Sequence, residues 1–97
     1  MAKGYWVVSY RNDSDKESMK AYGALVGGVL AKYEGKRLVA GVPAEVHDAG
    51  EIKRTVVIEF PSLENAKAAY NCEEYTKAKE ALGTIIQRDF RIVEGFE

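Results

Sequence analysis

The groups in this 97-residue chain that could do chemistry are few: one histidine, one cysteine, six tyrosines and some charged residues on strand-like stretches. His47 alone titrates near neutral pH when unperturbed. As a general acid or base it needs an orienting carboxylate, and adjacent Asp48 would point the opposite way on a strand. The plainer reading is a solvated residue at a hairpin tip. Cys72 sits where a helix pattern breaks, and a helix N-terminus there could stabilise a thiolate. No histidine is placed to activate it, and with one histidine, one cysteine and no clustered ligand spacing no metal site is expected. Tyr10, Tyr22, Tyr70 and Tyr75, with Trp6 and Phe60, could line an aromatic pocket between helices and sheet, each phenol offering a polar handle. The same six rings could instead fill the core of a small domain. Arg37 and Glu59 could orient a polar ligand, or satisfy each other or their copies in a second subunit, because burying either alone is costly.

The elements that must position these groups are legible from periodicity. Thr55-Val56-Val57-Ile58-Glu59-Phe60 is dense in β-branched and aromatic residues and reads as the central strand. Pro61 ends it, and Ser62 with Glu64 opens a helix. Gly4 to Arg11 reads as the first strand. Ser14 and Glu17 have capping-box spacing, and Met19, Tyr22, Val26, Val29 and Tyr33 recur at helical intervals up to Gly35, expected as a left-handed C-cap. Lys36 to Val42 gives a second strand, resuming at Glu45 to His47, and the turn Asp48-Ala49-Gly50-Glu51 returns the chain as a hairpin. The Ser62 helix breaks near Asn71-Cys72, where Asn71 and Glu74 could cap a continuation to Leu82, and Gly83 ends it. Asp89 to Phe96 is the last strand.

Strand-helix-strand-strand-helix-strand is the ferredoxin-like split β-α-β order of an α+β domain. Right-handed crossovers put the first and third strands of a four-stranded antiparallel sheet in the middle and two helices on one face. Alternation along the strands then gives two faces. Trp6, Val8, Tyr10, Leu38, Ala40, Val42, Val56, Ile58, Phe60, Phe90 and Ile92 are assigned beneath the helices. Tyr5, Val7, Ser9, Arg37, Val39, Thr55, Val57, Glu59, Arg91 and Val93 form the other face, too apolar to be left in water. A homodimer with Tyr5, Val7, Ser9, Val39, Val57, Arg91 and Val93 at its interface is therefore expected.

Residues 1–97 make one domain by length. A net charge of −1 leaves no basic footprint for nucleic acid or an anionic membrane surface. No apolar run approaches the ~20 residues of a membrane span. The single cysteine and the absence of a signal-peptide pattern after Met1 point to a cytoplasmic protein. Gly23, Gly27 and Gly28 fall inside a helix pattern rather than at a strand-to-helix turn, so they do not form a phosphate loop. Close packing of that helix on the sheet is the expected reason for them, and space for a ligand is the alternative.

Gly4-Tyr5-Trp6, Ala21-Tyr22, Lys32-Tyr33-x-Gly35, Arg37-Leu38-Val39, Val57-Ile58-Glu59-Phe60-Pro61-Ser62, Glu74-Tyr75 and Val93-Glu94-Gly95 occur in that order. This set resembles a bacterial domain-of-unknown-function family of small stand-alone proteins within the dimeric α/β-barrel superfamily. The resemblance implies a ferredoxin-like protomer pairing sheet to sheet, helices outside. Superfamily members include cofactor-free monooxygenases and small isomerases that use a pocket between sheet and helices, while the family has no settled activity. Cys72-Glu73 departs from the Ser-Pro that often precedes Glu-Tyr, and Gly27-Gly28 is an unusual pair inside a helix.

Three functions stay open on the sequence. The first is a homodimeric small-molecule binding module without a cofactor. The second is a cofactor-independent isomerase or monooxygenase acting on a small organic substrate, which needs a polar group inside an apolar pocket. The third is a structural or interaction protein whose core is filled.

Overall fold

In the computed structural model of the chain, which describes residues 2–12 and 15–96, alternation shapes the first strand as expected. β1 (Gly4–Asn12) buries Trp6, Val8 and Tyr10 on one side and turns Tyr5, Val7 and Ser9 to the other. α1 (Lys16–Tyr33) starts at Asp15, whose carboxylate accepts the Ser18 amide at 3.2 Å and the Ser18 hydroxyl at 2.9 Å. Ser14, expected in that role, lies outside the described residues. The left-handed cap at the end of α1 is Glu34 (φ 61°), not Gly35. Gly35 is needed for a different reason: a Cβ there would stand 2.8 Å from the Phe60 ring and 2.9 Å from Leu30.

β2 (Lys36–Gly41) and β3 (Thr55–Phe60) pair antiparallel across a loop of residues 42–54, and no strand resumes at 45–47. Ser62 caps α2 (Leu63–Asn71) by accepting the Asn65 amide. Cys72, rather than Asn71, then caps α3 (Glu73–Leu82): its Sγ accepts the Tyr75 amide at 3.4 Å and donates to the Ala69 carbonyl at 3.2 Å. β4 runs Gln87–Glu94, two residues earlier at each end than the pattern suggested. The sheet order is β2-β3-β1-β4, every neighbouring pair antiparallel, with the helices on one face. This is the ferredoxin-like arrangement.

Trp6 is the hub of the core, with no exposed surface. Its ring lies 5.0 Å from Phe60, 5.0 Å from Tyr75 and 5.1 Å from Phe90, and its indole N–H donates to the Ala66 carbonyl at 2.8 Å. An indole buried this deeply needs that partner, because an unmade bond there costs about 1–3 kcal/mol. Val26, Val29 and Leu30 of α1, Ala66 and Ala69 of α2, and Tyr75, Ala78 and Leu82 of α3 close over it.

Candidate functional site

α1 packs chiefly on α3 and α2, leaving the helix-side surface of β2 and β3 poorly covered. The gap is a cavity of about 420 Å³. Val8, Tyr10, Val56 and Ile58 form its floor over Trp6, and Met19, Tyr22, Gly23 and Val26 of α1 form its wall. A Cβ on Gly23 would meet nothing within 4 Å, so the helix keeps that wall open where a side chain could have closed it.

A polar cluster stands at one side of this apolar space. The Tyr22 and Tyr75 hydroxyls are 2.7 Å apart, and Nη1 of Arg88 donates to both at 3.2 Å. The guanidinium also lies 5.0 Å from the Tyr22 ring centre and 5.1 Å from that of Phe90. Burial pushes both phenols above their ordinary pKa, which the Arg88 cation only partly offsets at Tyr22. Both are therefore neutral at physiological pH. Arg88 stays protonated: burial pulls its pKa down, but the two phenol oxygens more than compensate.

Proton counting orients the cluster. Each phenol owns one hydrogen, and a single bond joins the pair, so one O–H has no acceptor within the cluster. Tyr75 has no exposed surface, whereas Tyr22 borders the cavity. If Tyr22 donated, the hydrogen of Tyr75 would be buried without a partner, at a cost of about 1–3 kcal/mol. Tyr75 therefore donates to Tyr22, and the Tyr22 O–H is left for the cavity.

The rim carries Lys16, Lys20, Arg37, Arg54 and Arg88, and no carboxylate lines the cavity among the described residues. None of the five is ion-paired to a described residue, although Arg54 and Arg88 are half-buried.

Of the six aromatic candidates, Trp6, Tyr10 and Tyr22 lie at the cavity. Phe60, Tyr70 and Tyr75 do not line it and pack in the ring cluster around Trp6. Arg37 and Glu59 are not partners. A bulge between Arg37 and Val39 pairs Arg37 with Ile58 and Lys36 with Glu59, which puts Arg37 at the cavity rim and leaves Leu38 exposed. Glu59 instead accepts from the Tyr5 hydroxyl at 2.9 Å and from Lys3 at 3.3 Å on the opposite face. His47 is exposed in the 42–54 loop, 3.3 Å from Glu45 and away from the cavity. Gly27 and Gly28 do not press on the sheet: a Cβ at either would meet nothing within 4 Å.

On the open face Val7, Val39 and Val57 lie in register, with Tyr5 and Val93 beside them. Arg91 is held by both Asp89 oxygens at 3.0 and 3.1 Å, so the charges flanking the valines are matched within the protomer. Val39 and Val93 are each nearly half exposed.

Arg88 and Arg54 escaped the sequence reading, yet both carry a signal. Arg88 shares the parity of Phe90 and Ile92, and Arg54 that of Val56, Ile58 and Phe60. An arginine in phase with an inward-facing series is a cation under the helices. Lys16 and Lys20 carry no comparable signal.

Residues 3–96 match the model of the family described as Domain of unknown function (DUF1330). The chain belongs to this family. Among solved structures, this DUF1330 chain is similar to a protein of unknown function from Rhodopseudomonas palustris, with 15% identity over 99% of this chain and 84% of that one and a TM-score of 0.73. It is also similar to a dimeric protein of unknown function and ferredoxin-like fold from Bacteroides fragilis, with 16% identity over 95% of each chain and a TM-score of 0.60. A third similar structure is SnoaB, a cofactor-independent oxygenase from Streptomyces nogalater, with 8% identity over 99% of this chain and 93% of that one and a TM-score of 0.57. At these identities the likeness is one of fold. No curated protein matches the sequence. No helix among the described residues is long and apolar enough to cross a membrane.

Proposed function

We propose that this DUF1330 protein is a homodimeric binding module that takes a small organic molecule into the cavity between α1 and the sheet. The observation that carries this reading is an open space of about 420 Å³ with an apolar floor and the Tyr22 phenol in its wall, whose O–H the proton count leaves unspent among the described residues. Ligand sites have this character: apolar lining, a few convergent polar groups and about 300–1,000 Å³ of volume. A filled core, which a purely structural protein would have, is not what the side chains leave there.

An enzymatic role as isomerase or oxygenase needs a group that accepts a proton from substrate. The cavity lining among the described residues offers five cations and phenols, without a carboxylate or histidine. Tyr22 and Arg88 can stabilise a negative oxygen but cannot act as a base at neutral pH, which favours binding over turnover.

The dimer rests on the open face. Four strands about 4.8 Å apart present roughly 400 Å² of sheet, here with valines at its middle and exposed apolar side chains at Val39 and Val93. A second copy packed at ~10 Å would cover them through a two-fold axis. The dimeric state of the Bacteroides fragilis protein lends support through shared fold. Thermal-shift screening of small aromatic and aliphatic compounds tests the binding role. Hits that lose their effect when Gly23→Leu fills the cavity are expected, and hits indifferent to that substitution would overturn the site.

A further inference from the structure

We infer that the cavity takes a small amphipathic carboxylate, its apolar body on Val8, Tyr10, Val56 and Ile58 and its carboxylate against Arg88 and Tyr22. This rests on the cavity-binding reading and adds the charge and shape of the ligand. The whole chain carries a net charge of −1, yet among the described residues five cations and no carboxylate meet at this one space. A second cavity, of about 350 Å³, lies beside the 42–54 loop and shows the contrast. There Glu45, Glu51 and Asp89 stand with Arg11 and Lys53, so no sign of charge prevails.

Arg88 gives the charge a position. A half-buried guanidinium is ordinarily matched by a carboxylate, but the described partners of Arg88 are two neutral phenols and ring faces. Both bonds use Nη1, which spends its two hydrogens on Tyr22 and Tyr75. The edge formed by Nε and Nη2 makes no bond to a described residue, and that edge is the planar fork that fits a carboxylate. The Tyr22 O–H adds a third donor, within the four lone-pair sites a carboxylate presents. The apolar floor asks for a hydrocarbon body, which inorganic phosphate lacks. The cavity is nearly three times the ~150 Å³ that holds benzene, enough for a phenylalkanoate or a medium-chain acid.

The test is calorimetry on the full-length protein with 4-phenylbutyrate, its neutral amide 4-phenylbutanamide and inorganic phosphate. The acid should bind about 10- to 100-fold tighter than the amide, the range spanned by one hydrogen bond to a charged group. Arg88→Met should bring the acid to the level of the amide and leave the amide unchanged. Should that variant not fold, the acid-to-amide ratio of the unaltered protein decides alone. Equal affinities would overturn the carboxylate assignment and leave the cavity reading standing. Phosphate binding as tightly as the acid would also overturn it. Binding of none of the three would remove the cavity reading itself.

Discussion

Exchanging Tyr22 and Tyr75 for phenylalanine, one at a time, tests the orientation of the hydroxyl pair. Each substitution removes the shared 2.7 Å bond and one 3.2 Å bond from Arg88, so these losses nearly cancel between the two variants. They differ in what remains. Tyr75→Phe leaves Tyr22 still able to turn its hydrogen to the cavity. Tyr22→Phe leaves the Tyr75 hydrogen without an acceptor at a site with no exposed surface, an additional cost of about 1–3 kcal/mol. The more exposed residue should therefore be the more damaging to lose. For a domain of this size each kcal/mol moves Tm by about 4–8 °C, so calorimetry or circular dichroism melts will separate the two. Urea midpoints at unchanged m-value provide the second reading. If Tyr75→Phe is as destabilising as Tyr22→Phe or more so, the Tyr75 hydrogen has an acceptor outside the pair, and the proton count no longer leaves Tyr22 a hydrogen to offer a ligand.

Further outcomes follow from the same structure. Gly27→Ala and Gly28→Ala should each stabilise α1 by up to about 1 kcal/mol, since the added methyl meets nothing, whereas Gly4→Ala should destabilise, its Cβ falling 2.6 Å from the Ser62 carbonyl oxygen; urea melts measure both. The folded state raises the Tyr75 pKa above its ordinary value near 10, so its contribution is intact below pH 10 and is lost as pH climbs further, by about 1.4 kcal/mol per pH unit. Comparing the alkaline stability of the unaltered protein with that of Tyr75→Phe isolates this slope, and identical slopes would contradict it. Val57→Asp places carboxylates across the proposed two-fold without counter-charges, so sedimentation should show a concentration-dependent shift to monomer; a variant as dimeric as its parent would move the interface off this face.

The architecture was legible because hydrophobic period and punctuation agreed. Residues 55–62 pass from β-branched strand through Pro61 to a Ser62 cap, and the structure keeps each step. Face assignment succeeded on β1, where alternation is unbroken, and failed at Arg37, because a bulge shifts register without changing composition. The paired glycines of α1 misled for a related reason: propensity marks them as costly, but sequence cannot say whether anything approaches them. The site was half legible. Tyr10 and Tyr22 could be named from their types, but the Arg88 partnership depends on β4 starting two residues early, which brings the arginine into the inward phase beside α1 and α3.

The central claim, that the space between α1 and the sheet holds a small organic ligand, is met most directly by amide chemical-shift mapping during titration with 4-phenylbutyrate. Saturable shifts should concentrate at Tyr22, Gly23 and Val26 on α1, at Val8 and Tyr10 on β1, and at Val56 and Ile58 on β3. Shifts confined to the 42–54 loop or to the open face, or no saturable shifts anywhere, would contradict it.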